Sequence, residues 1–286
     1  MVRGARVLDP NPEMGTLVRA AGIQTNLHDV GKGAPVLLIH GSGPGVSAYA
    51  NWRLVMPALA AAHRVIAPDL VGFGFSERPP GFSYDMDQWI GHALGVMDAL
   101  DVEHAHIVGN SFGGALALAL AIRHPQRVKR LVLMGSVGVR FQITAELDEI
   151  WGYQPSLQAM RRLISMFSRD RNHVDDALAR VRYEASIRPG FQESYEAMFP
   201  APRQRWVNAM ASPEEAVRAL QHETLIVHGR EDRVIPLSNA YKLLELIPRS
   251  QLHVFGGCGH WTQIEQAARF NRLLLDFFGE HDGKPS

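Results

Sequence analysis

Residues 107–116 read I-V-G-N-S-F-G-G-A-L and set a serine between glycines, after an apolar strand pattern and before an apolar helix pattern. In a G-x-S-x-G turn from strand to helix, small residues at Gly109 and Gly113 relieve the crowding of a strained backbone. The turn pushes Ser111 out beyond the end of the sheet. Because the strand and helix patterns flank the motif, we predict that Ser111 is a nucleophile rather than a turn-forming serine.

A serine hydroxyl is a weak nucleophile at neutral pH, so it needs a general base, and the base needs an acid that fixes its tautomer. After this type of turn, the acid and the histidine follow in that order. Asp232 comes shortly after the strand pattern at 224–228, and His260 lies in a glycine-rich loop after the strand pattern at 251–254. Both lie at strand ends, where open α/β sheets build their sites. We predict that Asp232 and His260 complete a triad.

Other residues nearby could take these roles. Glu231 adjoins Asp232, but neighbouring side chains in an extended loop point apart. Asp69 also follows a strand pattern, but it precedes the serine, and we expect it to organise a turn. Cys258 could be a thiol nucleophile or a metal ligand; without a second cysteine we expect a small loop residue. A surface ion pair for Asp232 and a backbone-bonded loop role for His260 stay open.

Two backbone donors are candidates for an oxyanion hole. One is the N–H of Phe112, directly after the nucleophile. The other lies in H-G-S-G-P-G at 40–45, where we assign it to Ser42 with Gly43 adjoining. A G-x-G fragment could also bind phosphate, but the Lys-Ser/Thr of a P-loop and the dinucleotide-binding spacing are both missing.

Short apolar strand patterns alternate with longer helix patterns. The strand patterns occupy residues 36–39, 64–67, 106–108, 131–134, 224–227 and 251–254. Helical spacing covers 89–100 and 115–123, and Pro125 closes the second helix. Continuous apolar strands between helices predict an α/β fold, with a mostly parallel sheet that carries helices on both faces.

The alternation stops after about residue 139. Residues 140–208 are helical in pattern and rich in Met, Arg, Tyr and Trp, with no convincing strand. We therefore predict a helical cap at 140–208, inserted between two parts of one core at 1–139 and 209–286.

Composition excludes several classes of protein. The 286 residues are 46% hydrophobic and 20% charged, which suits a compact enzyme. The 29 basic residues balance 29 acidic ones, so we expect neither a nucleic acid nor a membrane as partner. The first residues carry charges and prolines where a signal peptide needs an apolar core, and the single cysteine cannot form an internal disulfide. We predict a cytoplasmic protein.

Further motifs extend the pattern around the serine. They are H-G-S-G-P-G-V-S-A-Y-A-N-W-R at 40–53, A-P-D-L-V-G-F-G-F-S-E-R-P at 67–79, R-Y-E-A-S-I-R-P-G-F-Q-E-S at 182–194, G-R-E-D-R-V-I-P at 229–236 and G-H-W-T-Q-I-E at 259–265. With these motifs, the chain resembles the meta-cleavage product hydrolases of the α/β-hydrolase fold, over about residues 16–278. The resemblance implies an eight-stranded, mostly parallel sheet with an inserted helical cap.

The resemblance also implies an activity: hydrolysis of a carbon–carbon bond in a 2-hydroxy-6-oxohexa-2,4-dienoate, a product of aromatic ring fission. The expected products are 2-hydroxypenta-2,4-dienoate and formate or a short carboxylic acid, and no cofactor or metal is implied. The likeness is greatest to the branch that acts on 2-hydroxymuconate semialdehyde. It is nearly as great to the branch that acts on alkyl-substituted products such as 2-hydroxy-6-oxo-7-methylocta-2,4-dienoate. A general carboxylesterase is a further alternative.

The resemblance implies residues for binding the dienoate. Arg188 matches the arginine that binds the carboxylate end, and Asn51, Asn110 and Trp261 match residues placed around the dienoate, beside Gly43 of the oxyanion loop. From the residues alone, Arg188 could equally be a solvated arginine at a helix end. Likewise, Asn51 could be an N-cap, Asn110 a turn former and Trp261 a packed side chain.

The residues that set acyl size are less readable, because a pocket separates substrates that differ by one methylene by only about 1–3 kcal/mol. Candidates in the cap are Ile143, Trp151, Leu157, Met160, Phe167 and Met198. By resemblance, the attacking group is either Ser111 or a water that forms a gem-diol, and the protein is a homo-oligomer with a small-molecule substrate.

Overall fold

The computed structural model describes residues 11–170 and 175–282. Within them the strands form one eight-stranded sheet in the order β1-β2-β4-β3-β5-β6-β7-β8. The strands are β1 (Thr16–Ala20), β2 (Ile23–Val30), β3 (Pro35–Ile39), β4 (Arg64–Pro68), β5 (Ala105–Asn110), β6 (Val128–Met134), β7 (Thr224–Gly229) and β8 (Ser250–Phe255). β1 pairs antiparallel with β2, and β2 with β4, whereas all later pairs are parallel. This confirms the predicted α/β-hydrolase fold.

The helices cover both faces of the sheet. They are α1 (Ala48–Trp52), α2 (Met56–Leu59), α3 (Met86–Ala99), α4 (Phe112–Arg123), α5 (Ala145–Trp151), α6 (Leu157–Phe167), α7 (Asp176–Ser186), α8 (Phe191–Met198), α9 (Gln204–Met210), α10 (Glu214–Arg218), α11 (Leu237–Leu246), α12 (Thr262–Glu265) and α13 (Ala267–Asp282), with a 3₁₀ turn at Pro125–Arg127. None of the described helices combines the length and apolar character that crossing a bilayer requires.

Alternate residues of each central strand belong to opposite cores. Leu37 and Ile39 of β3 pack in the core that includes α3, α4 and α11. Val36 and Leu38 pack in the second core, with α1, α2 and α13. Because both faces are buried, the central strands are continuous apolar runs.

The six predicted strands are confirmed, and β1 and β2 are additional. They escaped prediction because they lie at an edge of the sheet and carry polar residues. In β2, Thr25 and Asn26 are fully buried through hydrogen bonds rather than through apolar packing. α3 begins at Met86, three residues before the predicted start, because the Asp85 carboxylate accepts a hydrogen bond from Gln88 N at 2.9 Å and caps the helix.

Between β6 and β7 the described residues contain helices and loops only. α6 shows how they pack: Met160, Leu163, Ile164 and Phe167 recur at helical spacing and are buried, and Ser156 caps the helix. The division into core and cap stays a prediction. Its boundary at 208/209 falls inside α9, which continues to Met210.

Candidate active site

Ser111 lies in a strained turn between β5 and α4. Its φ of 56° and ψ of −115° place a non-glycine residue at positive φ. A Cβ at Gly109 would lie 2.2 Å from Gly113 O, and a Cβ at Gly113 would lie 2.4 Å from Ile39 O. Glycine is therefore required at both positions, as the sequence predicts, and the turn presents Ser111 to a cavity at the ends of the strands.

His260 and Asp232 form a hydrogen-bonded pair. Nδ1 of His260 lies 2.7 Å from Oδ2 of Asp232, in the loops that follow β8 and β7. The carboxylate is fully buried, and its Oδ1 accepts hydrogen bonds from Val234 N at 2.8 Å and Ile235 N at 3.0 Å. Since an ionised carboxylate only accepts, Nδ1 of His260 carries the proton and Nε2 is left as the basic nitrogen.

The buried carboxylate of Asp232 stays ionised because two imidazoles lie beside it. Burial alone would raise the pKa of Asp232, but His260 and His228 hold that pKa well below its usual range. Nε2 of His228 lies 3.3 Å from Oδ2 of Asp232 and 3.0 Å from Ile235 O. Asp232 is thus a permanent negative charge beside His260.

Gly135, at the end of β6, makes room for this pair. Its φ is +50°, and a Cβ there would lie 3.2 Å from the His260 ring and 3.4 Å from Asp232 Oδ2. β6 separates β5, which carries Ser111, from β7. The small residue lets the Asp–His pair lie over the end of β6, and His260 lines the same cavity as Ser111, although no hydrogen bond joins the two in the described ranges. Such contacts often tighten only when substrate binds.

The loop at 40–45 follows β3, the direct neighbour of β5 in the sheet. His40 fixes this loop, because its Nδ1 lies 2.7 Å from Gly41 O and its Nε2 accepts from Leu70 N at 3.0 Å. Burial lowers the pKa of His40 to about 4, so the ring is neutral. Two hydrogen bonds of a neutral, buried ring therefore hold the loop in place.

Side chains of the inserted helices α5 and α8 contact Ser42. Trp151 Nε1 donates to Ser42 Oγ at 2.9 Å, and Tyr195 OH lies 3.0 Å from Ser42 O and 2.9 Å from Ile150 O, so its one proton is shared between the two carbonyls. Among the described residues, the backbone N–H of neither Ser42 nor Phe112 has a hydrogen-bond partner. Ser42 lines the cavity, and Phe112 begins α4 with its ring in the core. The predicted oxyanion hole stays a prediction, with both of its backbone donors unpaired.

Most of the predicted binding residues line the same cavity. Gly43, Asn51, Asn110 and Trp261 are all in its wall. The Nδ2 atom of Asn51 is buried without a partner among the described residues, while its Oδ1 accepts from Gly41 N at 3.3 Å. Asn51 does not cap α1, since Ser47 does. An unpartnered donor in a cavity wall is available to a ligand.

The role of the predicted arginine, Arg188, stays a prediction, and its Nη2 is buried with no hydrogen-bond partner among the described residues. Arg188 does not line the cavity; it lies beyond the end of α7, and its guanidinium stacks on the Phe75 ring at 4.0 Å. Arg182 lies one turn from each of the buried residues Ala179 and Ser186 of α7, and it lines the cavity. Helical spacing within α7 therefore explains why Arg182 faces the cavity.

The sequence also gave no reason to select two further cavity residues. Arg53, just after α1, donates to Ala50 O through Nη1. Gln263 in α12 is 1% exposed, and its Oε1 has no hydrogen-bond partner within the described part of the chain. Of the six candidates for acyl size, Met160 and Phe167 line the cavity, but Ile143, Trp151, Leu157 and Met198 do not.

The rival residues have other partners. Glu231 accepts from Cys258 N at 2.9 Å and pairs with Arg230. Asp69 accepts from Ala48 N, Phe75 N and Asn26 Nδ2, which fits the predicted turn-organising role. Burial raises the pKa of Cys258 to about 12, so no thiolate is present near neutral pH.

The comparisons with known proteins agree with this fold. A family model described as alpha/beta hydrolase fold matches residues 34–267. The observed sheet and helices place the chain in this same class of α/β hydrolases. The chain is 64% identical to a 2-hydroxymuconate semialdehyde hydrolase from Pseudomonas sp. (strain CF600), over 95% of this chain and 96% of that protein. It is 59% identical to a 2-hydroxy-6-oxo-2,4-heptadienoate hydrolase from Pseudomonas putida, over 95% and 99%.

A solved structure gives the same result. A mutant of a meta-cleavage product hydrolase (CumD) from Pseudomonas fluorescens IP01 superposes with a TM-score of 0.94 at 61% identity, over 94% of this chain and 99% of that one. The chain therefore belongs to the α/β hydrolases and, among them, to the meta-cleavage product hydrolases.

Proposed function

We propose that this hydrolase cleaves the C5–C6 bond of 2-hydroxymuconate semialdehyde, giving 2-hydroxypenta-2,4-dienoate and formate. The observation that carries the proposal is one cavity that holds Ser111 and His260 together. The serine and histidine suit attack on a carbonyl. The relative at 64% identity is named for this activity.

The walls of the cavity favour a substrate with one anionic end. Among the described residues, no Asp or Glu lines it, whereas Arg53 and Arg182 do. Apolar side chains from the inserted helices form another part of the wall: Leu147, Ile150, Met160, Ile164, Phe167 and Leu178. We therefore keep Arg188 as the ligand of the substrate carboxylate, since its buried Nη2 has no partner among the described residues, with the helices at 140–208 acting as the cap over the diene and acyl group.

In the first step, the bound dienol becomes its keto form: the 2-hydroxyl loses a proton and C5 gains one, with His260 as the proton carrier. Ser111 Oγ then attacks C6 and gives its proton to His260 Nε2. The oxyanion accepts hydrogen bonds from the N–H groups of Ser42 and Phe112. The charge of Asp232 stabilises the imidazolium that forms.

The C5–C6 bond then breaks. Its electron pair moves through C4 and C3 to the C2 oxygen, which takes the proton from His260 and leaves as 2-hydroxypenta-2,4-dienoate. Ser111 is left as a formyl ester, which water hydrolyses with His260 as the base. In the alternative route, His260 activates a water that attacks C6, and no ester forms on Ser111. Mass spectrometry of acid-quenched enzyme separates the two routes.

A second candidate substrate carries a methyl group at the acyl carbon. The relative at 59% identity is named for 2-hydroxy-6-oxo-2,4-heptadienoate, and the apolar wall suits a methyl group. Larger alkyl products and simple esters are the remaining alternatives. A general esterase would cleave p-nitrophenyl esters fast and would not depend on Arg188.

The test follows loss of the yellow dienolate absorbance with substrates that bear hydrogen, methyl, isopropyl or phenyl at the acyl carbon. We expect the highest kcat/KM with hydrogen, then methyl. Ser111→Ala should lower kcat by roughly a thousandfold or more while the protein stays folded. Ser165→Ala is the matched control, since Ser165 is exposed on α6 and bonds to Arg162 O. Near-normal turnover by Ser111→Ala would refute the catalytic role of Ser111, and no turnover of the hydrogen-bearing substrate by the wild type would refute the proposed function. The homo-oligomer and the cytoplasmic location stay predictions.

A further inference from the structure

His228 is a buried imidazole that lies outside the cavity wall. It is near the end of β7 and is 1% exposed. Its Nε2 lies 3.0 Å from Ile235 O and 3.3 Å from Oδ2 of Asp232. Because both of these oxygens are acceptors, Nε2 of His228 carries a proton that the two share. A second imidazole therefore faces the carboxylate that orients His260.

The four donors around Asp232 divide evenly between its two oxygens. Oδ1 accepts from Val234 N at 2.8 Å and from Ile235 N at 3.0 Å. Oδ2 lies 2.7 Å from Nδ1 of His260 and 3.3 Å from Nε2 of His228. A carboxylate offers about four lone-pair sites, so these donors use all of them. His228 thus competes with His260 for the charge of one oxygen atom.

Ile235 joins His228 to the turn that carries Asp232. Its N–H donates to Oδ1 of Asp232, and its carbonyl accepts from Nε2 of His228. Ile235 and the Asp232 side chain are both fully buried, so bulk water does not reach the place of the imidazole. The direction of the carboxylate therefore depends on the donors that the protein itself supplies.

The other titratable side chains on the elements around the two imidazoles have surroundings of their own. They are Glu146 of α5, Arg230, Glu231 and Arg233 of the loop after β7, Cys258 of the loop after β8, and Glu265 of α12. The acids among them bond to arginines or to backbone N–H groups, and burial raises the pKa of Cys258 to about 12, which keeps the thiol neutral. From α6, the uncharged Phe167 ring stacks on His260, with the ring centres 5.9 Å apart. Among the described residues, Asp232 is the one acid that pairs with either imidazole.

A bond to a backbone carbonyl would be enough to satisfy a buried histidine, and it does not require a carboxylate oxygen beside the same N–H. We propose that His228 is a positioning residue that acts through Asp232. It holds Oδ2 against Nδ1 of His260 and takes up part of the carboxylate charge, so it moderates the attraction between Asp232 and a protonated His260. His228 thereby sets how far toward acid pH the enzyme stays active. This inference rests on the proposed role of His260 as the general base.

His228→Phe tests the proposal, since it keeps a ring in the same space and removes the donor. The measurement is kcat/KM against pH with 2-hydroxymuconate semialdehyde and with p-nitrophenyl acetate, because the ester does not ionise and needs the same base. The acid limb of both profiles should move to higher pH by roughly one unit, the scale of one hydrogen bond to a charged group. On the plateau above the limb, kcat/KM should stay within about threefold of the wild type, because His260 and Ser111 are unchanged.

Matched variants show whether the effect passes through the carboxylate. His228→Gln brings an amide N–H close to the position of Nε2, so roughly half of the shift or less should remain. His222→Phe is the control, because Nε2 of His222, in the loop that precedes β7, lies 3.0 Å from Pro125 O and outside the cavity wall. It should leave both profiles unchanged. On the Asp232→Asn background, adding His228→Phe should change the single-turnover rate by less than about twofold.

Thermal melts establish which variants fold. If His228→Phe does not fold, His228→Asn repeats the test, because its shorter amide does not reach Asp232. An acid limb that stays in place, a shift seen with the dienoate but not with the ester, or a loss that persists on the Asp232→Asn background would each overturn the role of His228. None of these results touches the hydrolase activity, which fails only if the wild type does not turn over 2-hydroxymuconate semialdehyde.

Discussion

Replacing Asp232 by Asn tests whether a buried negative charge drives proton transfer to His260. The substitution keeps the size of the side chain and removes its charge. The Asn Oδ1 can still accept from the backbone N–H groups of Val234 and Ile235, which now lie 2.8 and 3.0 Å from Asp232 Oδ1. The fold should therefore survive, and a thermal melt would verify this.

The expected loss of rate follows from the geometry. Nδ1 of His260 lies 2.7 Å from Oδ2 of Asp232, which puts the centres of the two charges about 4 Å apart when the imidazole is protonated. At an effective dielectric constant of about 20, such charges attract by about 4 kcal/mol. Since each 1.36 kcal/mol is a factor of ten, kcat should fall about a thousandfold. The loss is larger if the Asn amide turns its N–H toward Nδ1 and forces the wrong tautomer.

The assay is single-turnover decay of the dienolate absorbance at saturating enzyme, which reports the chemical steps without product release. Glu231→Gln is the control, because Glu231 is the neighbouring acid and its Gln carbonyl can keep the hydrogen bond from Cys258 N. The control should stay within about threefold of the wild type. If Asp232→Asn keeps more than a tenth of the rate, or if Glu231→Gln loses as much, the electrostatic reasoning fails.

Three further predictions concern buried groups and one glycine of the loop at 40–45. Since burial raises the pKa of Cys258 to about 12, iodoacetamide at pH 8 should label it only after unfolding, and labelling of the native enzyme would contradict this assignment. Burial lowers the pKa of His40 and His92 from 6.5 to about 4, so each neutral ring contributes stability above pH 6.5 that is lost as the pH falls toward 4, up to about 3 kcal/mol each. Urea unfolding at pH 7 and 4.5 should show the loss, and His92→Asn should reduce it. Gly45→Ala should lower both stability and kcat/KM, because φ is +70° and a Cβ would lie 2.6 Å from Arg182 O; an unchanged melting temperature and activity would show that the loop moves freely.

The parallel part of the sheet could be predicted because each of its strands is buried on both faces. A run such as V-L-L-I in β3 has to be apolar throughout, and that pattern can be recognised without knowing which strands lie beside it. β2 could not be recognised in the same way. Asn26 is buried there because it bonds to Glu13 and Asp69, residues distant along the chain, and a single sequence gives no sign of those bonds.

The same contrast, between local pattern and contacts of distant residues, separates the site residues that could be predicted from those that could not. Ser111, Asp232 and His260 could be predicted because each follows a strand, and strand ends in a parallel sheet meet at one edge. Arg182 is different, because its place in the cavity depends on how α7 packs on the loop at 40–45. That contact requires the left-handed Gly45, whose carbonyl accepts from the arginine. The sequence around residue 182 does not reveal this packing, apart from the helical spacing of the small buried residues of α7.

The inserted helices also contact the loops that carry Ser42 and His260. These contacts couple substrate specificity to catalysis. Trp151 and Tyr195 fix Ser42, and the backbone carbonyl of Phe167 accepts from His260 N at 2.8 Å. The Phe167 ring also stacks on Trp261, with the ring centres 5.0 Å apart. A residue that shapes the acyl end of the cavity thus supports the loop that carries the general base. Substitutions at Phe167 should therefore alter kcat together with acyl preference, whereas Met160, which lines the cavity from the middle of the same helix, offers a site where the two can be separated.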